Sequence, residues 1–540
     1  MLEELSRFKN ICLGITSRIS TVPPHCRRPF IPALPMEPAC DIFYAIYDNG
    51  GRSNIVGDLV KKLDFHALSI TLLATVAFHN VWDYDRLSKE WDEHRTRVLH
   101  TDYDESLAAT IELSLDSPTF RKLGAHAHDL LGVVAFFPQG VDEKNLDWLF
   151  PTIPDRNHIF DKFCALSLTS RSGGFITMLA PIRDHLHPRD PKSSPLLCTT
   201  RDCYFNRLSV CPAPHEPGSK EARWIASEDV NVEHLLDVFT SIDRNLDIVW
   251  DACADFITHL YWHRCRYTVL GPKIEGLPDH HRSKPGYLIK LSCLSQGVGN
   301  FAERKRLVDH ALKLQSERGN QWEVAHALRI LSDANWILDL YEEGIQQAKG
   351  ALRIYEQLGD EVNQGICWGS LARLLHKDEQ LDAAEEAALR SVDLLPETGQ
   401  EFQLSRTHRF LGNIYASKRK GEEAIHHLET ALGIASAFGW SGQLFWINDS
   451  LAQLSITEQR FDEAAAYIEQ AKAHAVDSSY ELGHAMHTLA ALLYQQSQFG
   501  DAITEVSGAI AIFEKLGASK HLEESRDLLR IIEEKGEGVW

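Results

Sequence analysis

The sequence predicts a mainly α-helical protein whose C-terminal half is a solenoid of stacked helix pairs. Two observations carry this. Four positions at offsets 0, 3, 7 and 10 recur six times between residues 287 and 535, the first five sets starting 40 residues apart and the sixth after 38. Ten residues upstream of every set lies a large-small pair of residues.

The recurring sets begin with Phe301, Arg304, Val308 and Ala311, and continue with Tyr341, Gly344, Ala348 and Ala351. Leu381, Ala384, Ala388 and Ser391 follow, then Gly421, Ala424, Leu428 and Ala431, then Phe461, Ala464, Ile468 and Ala471, and lastly Phe499, Ala502, Val506 and Ala509. Such offsets fall on one face of a helix. A large residue followed by small ones lets a second helix approach closely, so this face is a packing face. The upstream pairs, Leu291-Ser292, Leu331-Ser332, Leu371-Ala372, Leu411-Gly412, Leu451-Ala452 and Leu489-Ala490, each mark a preceding helix whose small residue receives its partner. Every unit therefore reads as an antiparallel helix pair.

These positions resemble the tetratricopeptide repeat, with Pro396 at the family's terminal proline position. The period of 40 exceeds the family's common ~34 and implies longer helices. In such repeats the first helix lines an inner groove, at positions two and five residues on either side of the large residue of each large-small pair. The groove residues implied here are His326, Arg329, Asp333 and Trp336, then Arg373 and His376, then Arg406, Arg409 and Asn413, then Trp446, Asp449 and Gln453. Arginines recur in three consecutive units of an otherwise acidic chain. Arg409 and Asn413 also echo half of the carboxylate clamp of chaperone-binding repeats, but Ser450, His484 and Thr488 stand where its remaining members would be. The implied ligand is an acidic or C-terminal peptide segment anchored by arginine and tryptophan.

The N-terminal half carries weaker patterns. Residues 271–286, GPKIEGLPDHHRSKPG, are rich in Gly, Pro and charge and read as a linker; 187–195 and 212–219 are further breaks. The stretch LLGVVAFFPQGVDEKNLDWLFP (130–151) reads as an apolar helix, a Phe-Pro-x-Gly turn and a second helix. A hairpin about Ser172-Gly173-Gly174 follows it in CALSLTSRSGGFITML (164–179). Near the start, ICLGITSRIS (11–20) is an apolar strand running into Thr16-Ser17-Arg18.

Together these pieces resemble the rear of an NB-ARC or NACHT-type signalling ATPase of the STAND class, of the kind found in fungal NLR-like receptors. The resemblance places Arg18 at the sensor position. It makes residues 34–43 the opening of a small helical domain and 65–74, FHALSITLLA, the counterpart of the family's GLPLA motif. It implies an ATPase-sheet remnant over 1–30, an ARC1-like helical domain over 31–125, a winged-helix domain over 126–190 and a helical connector over 191–270. The linker 271–286 and the repeats 287–535 complete the chain.

Nucleotide binding is not expected. Cradling a triphosphate takes a G-x-x-x-x-G-K-[ST] loop, and the chain has no Gly-Lys dipeptide. Ala67 stands where the motif proline packs on adenine, and Met178-Leu179-Ala180 where Met-His-Asp reads the diphosphate. Arg18 alone supplies one charge-assisted contact, about 1.5 to 3 kcal/mol, and is vestigial. The expectation is a chain that begins inside its ancestral ATPase domain, with no cofactor; ADP or ATP enters only if a phosphate-binding half is supplied upstream.

Bulk properties exclude other classes. The 540 residues include 44% hydrophobic ones, and the net charge of -21 opposes nucleic-acid or anionic-membrane binding. Apolar stretches fall short of the ~20 residues that span a bilayer. The acidic start is no signal peptide, and 11 cysteines without regular spacing fit reduced thiols in a cytoplasmic protein. Cys198, Cys203, Cys211 and His215 have a loose zinc-like spacing, but it is irregular and CTTRDCYFNRLSV (198–210) reads more simply as an amphipathic helix burying Cys203 and Leu208. Histidine pairs such as His126 and His128 belong to no catalytic motif.

Three functions are therefore weighed: a non-enzymatic scaffold with a peptide or protein ligand in the repeat groove, an ADP/ATP-binding STAND switch in innate-immune-like signalling, and an unrelated enzyme within residues 100–270. The first is favoured. Oligomerisation is left open.

Overall fold

The computed structural model describes residues 34–63, 65–97, 105–210, 220–242, 247–263, 266–396, 398–475, 480–516 and 518–537. Arg18 and the segment 1–30 lie outside the described residues. The chain divides into two compact units after Thr200. No described helix is long and apolar enough to cross a membrane.

In the first unit, α1 (Met36–Ile46), α2 (Asn54–Lys62), α3 (Ala67–Asn80), α4 (Tyr84–Arg97) and α5 (Glu105–Asp116) share a core around Phe43, Val60, Leu73, Trp91 and Leu113. Helix α3 is apolar on nearly every side, so it takes the middle of this cluster. After α6 (Pro118–Arg121) and α7 (His126–Phe136), the chain forms β1 (Val141–Asp142), α8 (Leu146–Leu149), α9 (Arg156–Ala165), β2 (Ser170–Ser172), β3 (Phe175–Thr177) and α10 (Ala180–Leu186). The three strands are antiparallel in the order β1-β3-β2. The β2–β3 turn has positive φ at both Gly173 and Gly174, the geometry whose twist suits a tight hairpin. Gly140, at φ +78°, is required where β1 begins, because a Cβ there would lie 2.1 Å from the Ile176 carbonyl oxygen.

The second unit contains α12 (Lys220–Ile242), α13 (Asp247–His263) and α14 (Gly271–Glu275), after α11 (Pro195–Ser209). The Gly/Pro-rich stretch 271–286 is packed, not an open linker. Leu270, Ile274 and Leu277 are buried. Lys284 is 2% exposed and donates to the carbonyls of Glu275 and Leu277 and to Asp279. Its three donors saturate a tight turn that composition alone reads as a joint.

Six helix pairs follow: α15 (Lys284–Gly297) with α16 (Phe301–Arg318), α17 (Gln321–Ile337) with α18 (Tyr341–Leu358), α19 (Glu361–Lys377) with α20 (Leu381–Leu394), α21 (Glu401–Ser417) with α22 (Gly421–Phe438), α23 (Ser441–Thr457) with α24 (Phe461–His474), and α25 (Tyr480–Gln495) with α26 (Phe499–Leu516). Helix α27 (Ser519–Glu537) covers the last pair. This is a tetratricopeptide-type α-solenoid. Ala384, Ala424, Ala464 and Ala502 on the second helices, and Ser332, Ala372, Ala452 and Ala490 on the first, are fully buried where the helices of a pair meet.

The period also appears in the backbone. Gly299, Asp339, Glu379, Arg419, Gln459 and Ser497 all have positive φ just past the first helix of a pair. In each case the next N–H reaches back to a carbonyl five residues earlier, as in Leu340 to Asn335 and Lys420 to Tyr415, both 2.9 Å. This is the Schellman closure of a helix C-terminus. Five of the six positions carry a side chain in a conformation that favours glycine.

Gly299 is the exception because the solenoid curls until its first pair meets its last. A Cβ on Gly299 would lie 2.6 Å from Leu516 Cδ2, and the Phe301 ring centroid is 5.4 Å from that of Tyr480. Phe301, Ala509, Phe513 and Ala518 form one buried cluster.

Two stability outcomes are expected. Ala464→Leu overpacks a fully buried crossing and lowers stability by about 1 to 3 kcal/mol, whereas Ala466→Leu, at an exposed position two residues on, is near neutral in thermal melts. Gly299→Ala lowers the melting temperature more than Arg419→Ala, because only residue 299 meets a neighbour from the far end of the solenoid; equal shifts would contradict that closure.

Candidate functional site

The inner face of the solenoid encloses a cavity of 1530 Å³. First helices of successive pairs supply most of its wall, since positions either side of each large-small pair point away from the second helix. Arg329, Asp333 and Trp336 of α17, Arg373 of α19, Arg406, Arg409 and Asn413 of α21, and Trp446, Asp449 and Gln453 of α23 line it. His326 and His376 do not. The His326 ring stacks on Trp322 at 5.4 Å, and His376 lies 2.8 Å from the Ser417 hydroxyl.

The cavity gathers other residues that groove positions do not indicate. Arg304 comes from a second helix, α16, where the five equivalent positions carry Gly or Ala. That anomaly was the available signal: an arginine at a small-residue crossing must extend past the crossing into open space. Tyr261 and Trp262 enter from the end of α13, Trp262 packing edge-on against Phe402 at 5.5 Å. Tyr480 and His521 close the other side together with His484, itself a groove position five residues before Leu489, and the Tyr480 hydroxyl lies 3.1 Å from His521 Nδ1. No sequence signal places these three opposite Arg304, because only the curl of the solenoid does so.

Arg304, Arg329, Arg373, Arg406 and Arg409 thus share the chamber with Asp333 and Asp449, and Arg266, Lys377, Lys515, Glu481 and Glu514 line it as well. Asp333 is ion-paired with Arg373 and lies 3.6 Å from Arg329. Burial by itself would raise its pKa, but Arg373, Arg406, Arg329 and Arg304 override burial and hold it far below the usual carboxylate range. Desolvation drives Arg373 down to about 9 against the pull of Asp333, with Arg406, Arg304 and Arg329 adding repulsion. Arg409 falls to about 9 for the same first reason, with Arg406 and Arg373 beside it. Burial raises Asp449 to about 6, opposed by hydrogen bonds from Thr488 and Gln453 and by Arg409. At neutral pH the chamber is strongly cationic.

Aromatic rings hold these cations in place. Arg373 sits 4.2 Å from the Trp336 ring centre and 5.5 Å from Phe410; Arg409 sits 4.6 Å from Phe410 and 5.9 Å from Trp446. Trp336, Arg373, Phe410, Arg409 and Trp446 therefore alternate as ring and guanidinium across four consecutive first helices, each contact a cation–π interaction. The Nε atoms of Arg304, Arg329, Arg373 and Arg409 are buried without a hydrogen-bond partner among the described residues. Such donors are costly to leave unmade.

In the first unit, Met178 is nearly buried and Leu179 exposed at the end of the small sheet. Cys198 and Cys203 are both partly exposed on α11, while Cys211 and His215 lie outside the described residues.

No family model matches the chain. No curated protein matches its sequence. Among solved structures, a signal transduction ATPase with numerous domains (STAND) from Pyrococcus horikoshii, with a tetratricopeptide repeat sensor, is similar at a TM-score of 0.50 and 13% identity, over 92% of this chain and 72% of that one. A Rap protein complexed with competence and sporulation factor is similar at a TM-score of 0.39 and 15% identity, over 62% of this chain and 98% of that one. The Cut9-Hcn1 hetero-tetramer of the APC/C is similar at a TM-score of 0.37 and 16% identity, over 86% and 85%. At these identities the likeness to the first is one of fold: tetratricopeptide-type helical architecture.

Acidification should destabilise the protein. Burial holds His326, His376 and His408 at pKa values of about 4, with Arg329, Lys377 and His427 respectively adding repulsion. In the unfolded chain they take up protons near ~6.5, so between these values the unfolded state binds more protons and stability falls as pH drops. Asp449, raised to about 6, and Asp309, also raised by burial, oppose this trend, but burial lowers His427, His484 and His487 too, so the histidines outnumber them. The melting temperature should be lower at pH 5 than at pH 7, and less so in His376→Gln; a flat profile would contradict the burial assigned to these rings.

Proposed function

We propose that this chain is a non-enzymatic protein-interaction scaffold whose solenoid cavity receives an acidic segment of a partner protein. The observation that carries the reading is the convergence of Arg304, Arg329, Arg373, Arg406 and Arg409 on one chamber whose lining cations, with Arg266, Lys377 and Lys515, outnumber its carboxylates Asp333, Asp449, Glu481 and Glu514, in a chain of net charge -21. Excess buried cations are unfavourable unless an anion enters. Fixed guanidinium planes beside Trp336 and Trp446 supply the arginine and aromatic anchors on which tight protein recognition depends. Asn413 and Gln453 add neutral hydrogen-bonding partners along the same wall.

Descent from a STAND signalling protein is part of this reading, supported by the quoted motifs and by the fold likeness to the Pyrococcus horikoshii protein. The helical domain of 31–125, the winged-helix domain of 126–190, the connector and the repeats belong to that proposal, as does the vestigial sensor Arg18. The alternative, a nucleotide-dependent switch, is favoured by the same likeness but requires a phosphate-binding loop, and no Gly-Lys dipeptide is present. Calorimetric titration of the whole chain with ATP or ADP should give no binding at physiological concentrations; a micromolar dissociation constant lost in Arg18→Ala would establish the switch instead.

The docking reading is tested by recovery of partners from a native lysate with the wild-type chain and with the triple variant Arg373→Ala, Arg406→Ala, Arg409→Ala, each checked for helical content. Wild type should enrich proteins that the folded variant does not. Identical sets would remove the chamber as the docking site.

A further inference from the structure

The arginines of the chamber are not spread along a groove. Arg304, Arg329, Arg373 and Arg406 arrive from α16, α17, α19 and α21 and line one chamber, where Arg373 is ion-paired with Asp333 and Arg329 lies 3.6 Å from it, while the charges of all four hold its carboxyl low. An extended acidic peptide presents same-side carboxylates roughly 7 Å apart. Such a ligand is matched by cations at intervals along a strand. Two forks at Asp333, with Arg304 and Arg406 lining the same chamber and lacking a carboxylate of their own, suit one compact group with several charges and several acceptor oxygens.

We infer that the cluster of Arg304, Arg329, Arg373 and Arg406 around Asp333 is a binding site for a phosphoryl group carried by the docked protein segment. This deepens the docking function above and rests on it. A phosphoryl ester carries about -1.5 to -2 charge and three acceptor oxygens, whereas a carboxylate brings one charge and two oxygens. Among the described residues Arg304 and Arg406 have no carboxylate within ion-pairing distance; Arg304 donates to Gln296 and Arg406 reaches Gln403 at 3.4 Å. Asp333 balances one of four positive charges, and a dianion balances most of the remainder. Guanidinium forks match phosphate oxygens two at a time, and the unpartnered Nε atoms of Arg304, Arg329 and Arg373 are available donors. Trp336, stacked on Arg373 at 4.2 Å, fixes one fork before any ligand arrives.

Asp333 then has a definite part. In the empty chamber it is the internal counter-ion, holding the forks together at the place a phosphoryl group would take. It also competes with that group. Replacing Asp333 by asparagine keeps the shape, frees the forks and removes the repulsion, so anion affinity rises; in a purely structural ion cluster the same change only weakens the fold.

The test uses calorimetric titration of the full chain with three probes: an alanine pentapeptide with a central phosphotyrosine, the same peptide with a central glutamate, and ADP. The phosphopeptide should bind at least ten times more tightly than either of the others. Asp333→Asn should tighten it several-fold and Arg406→Gln should weaken it at least ten-fold, with folding verified by melting; if Arg406→Gln does not fold, the probe ratio and Asp333→Asn decide. Equal binding of the two peptides, or unchanged affinity in folded Asp333→Asn, overturns the phosphoryl assignment and leaves the docking function standing. ADP binding more tightly than the phosphopeptide overturns it in favour of a free nucleotide. If neither peptide binds, the docking function falls and the phosphoryl site falls with it.

Discussion

At each helix pair a residue with little side chain sits where the second helix crosses the first, and the spacing of the whole solenoid follows from it. Ala384, Ala424, Ala464 and Ala502 are fully buried at these crossings. A bulkier residue would push the helices apart, and protein interiors have little free volume to absorb that. Because the same contact recurs at a fixed interval, each pair is rotated similarly on the last and the stack curves. Curvature brings Phe301 to Tyr480 and Gly299 to Leu516, and so turns an open groove into a chamber.

The one crossing that departs from the rule opens onto the chamber. Arg304 occupies the position where the other pairs have Gly or Ala, and it is 4% exposed. A long cation there points past the crossing into the space the curl has enclosed, where it joins Arg329, Arg373 and Arg406. Desolvation makes the company of these cations expensive, and Asp333 makes it tolerable. The same low-dielectric setting that depresses Arg373 and Arg409 strengthens their attraction for any anion that enters.

Much of the inner wall was legible in the sequence because helical geometry is local. A residue two or five positions from a packing residue must face outward from the pair, so Arg329, Asp333, Trp336, Arg373, Arg406, Arg409, Asn413 and Trp446 follow from periodicity and line the cavity. His326 obeys the same geometry but lies at the outer turn, where stacking on Trp322 takes it out of the wall. The stretch 271–286 shows the reverse. Its Gly and Pro residues specify turns correctly, yet turns are equally compatible with a linker and with a packed corner. The difference lies in Lys284, whose amine finds three oxygens only once Glu275, Leu277 and Asp279 are folded around it.

The sequence by itself determined the helices, their pairing, the interval of the repeat and which faces are packed or free, since all of these depend on residues within about one repeat of each other. The tertiary structure alone decided that the first pair meets the last, that Trp262 and Tyr480 share a chamber with Arg373, and that arginines from four helices line that one chamber. Those outcomes depend on a small rotation per repeat, summed over six repeats. No single residue encodes that sum, and only the folded chain carries it out.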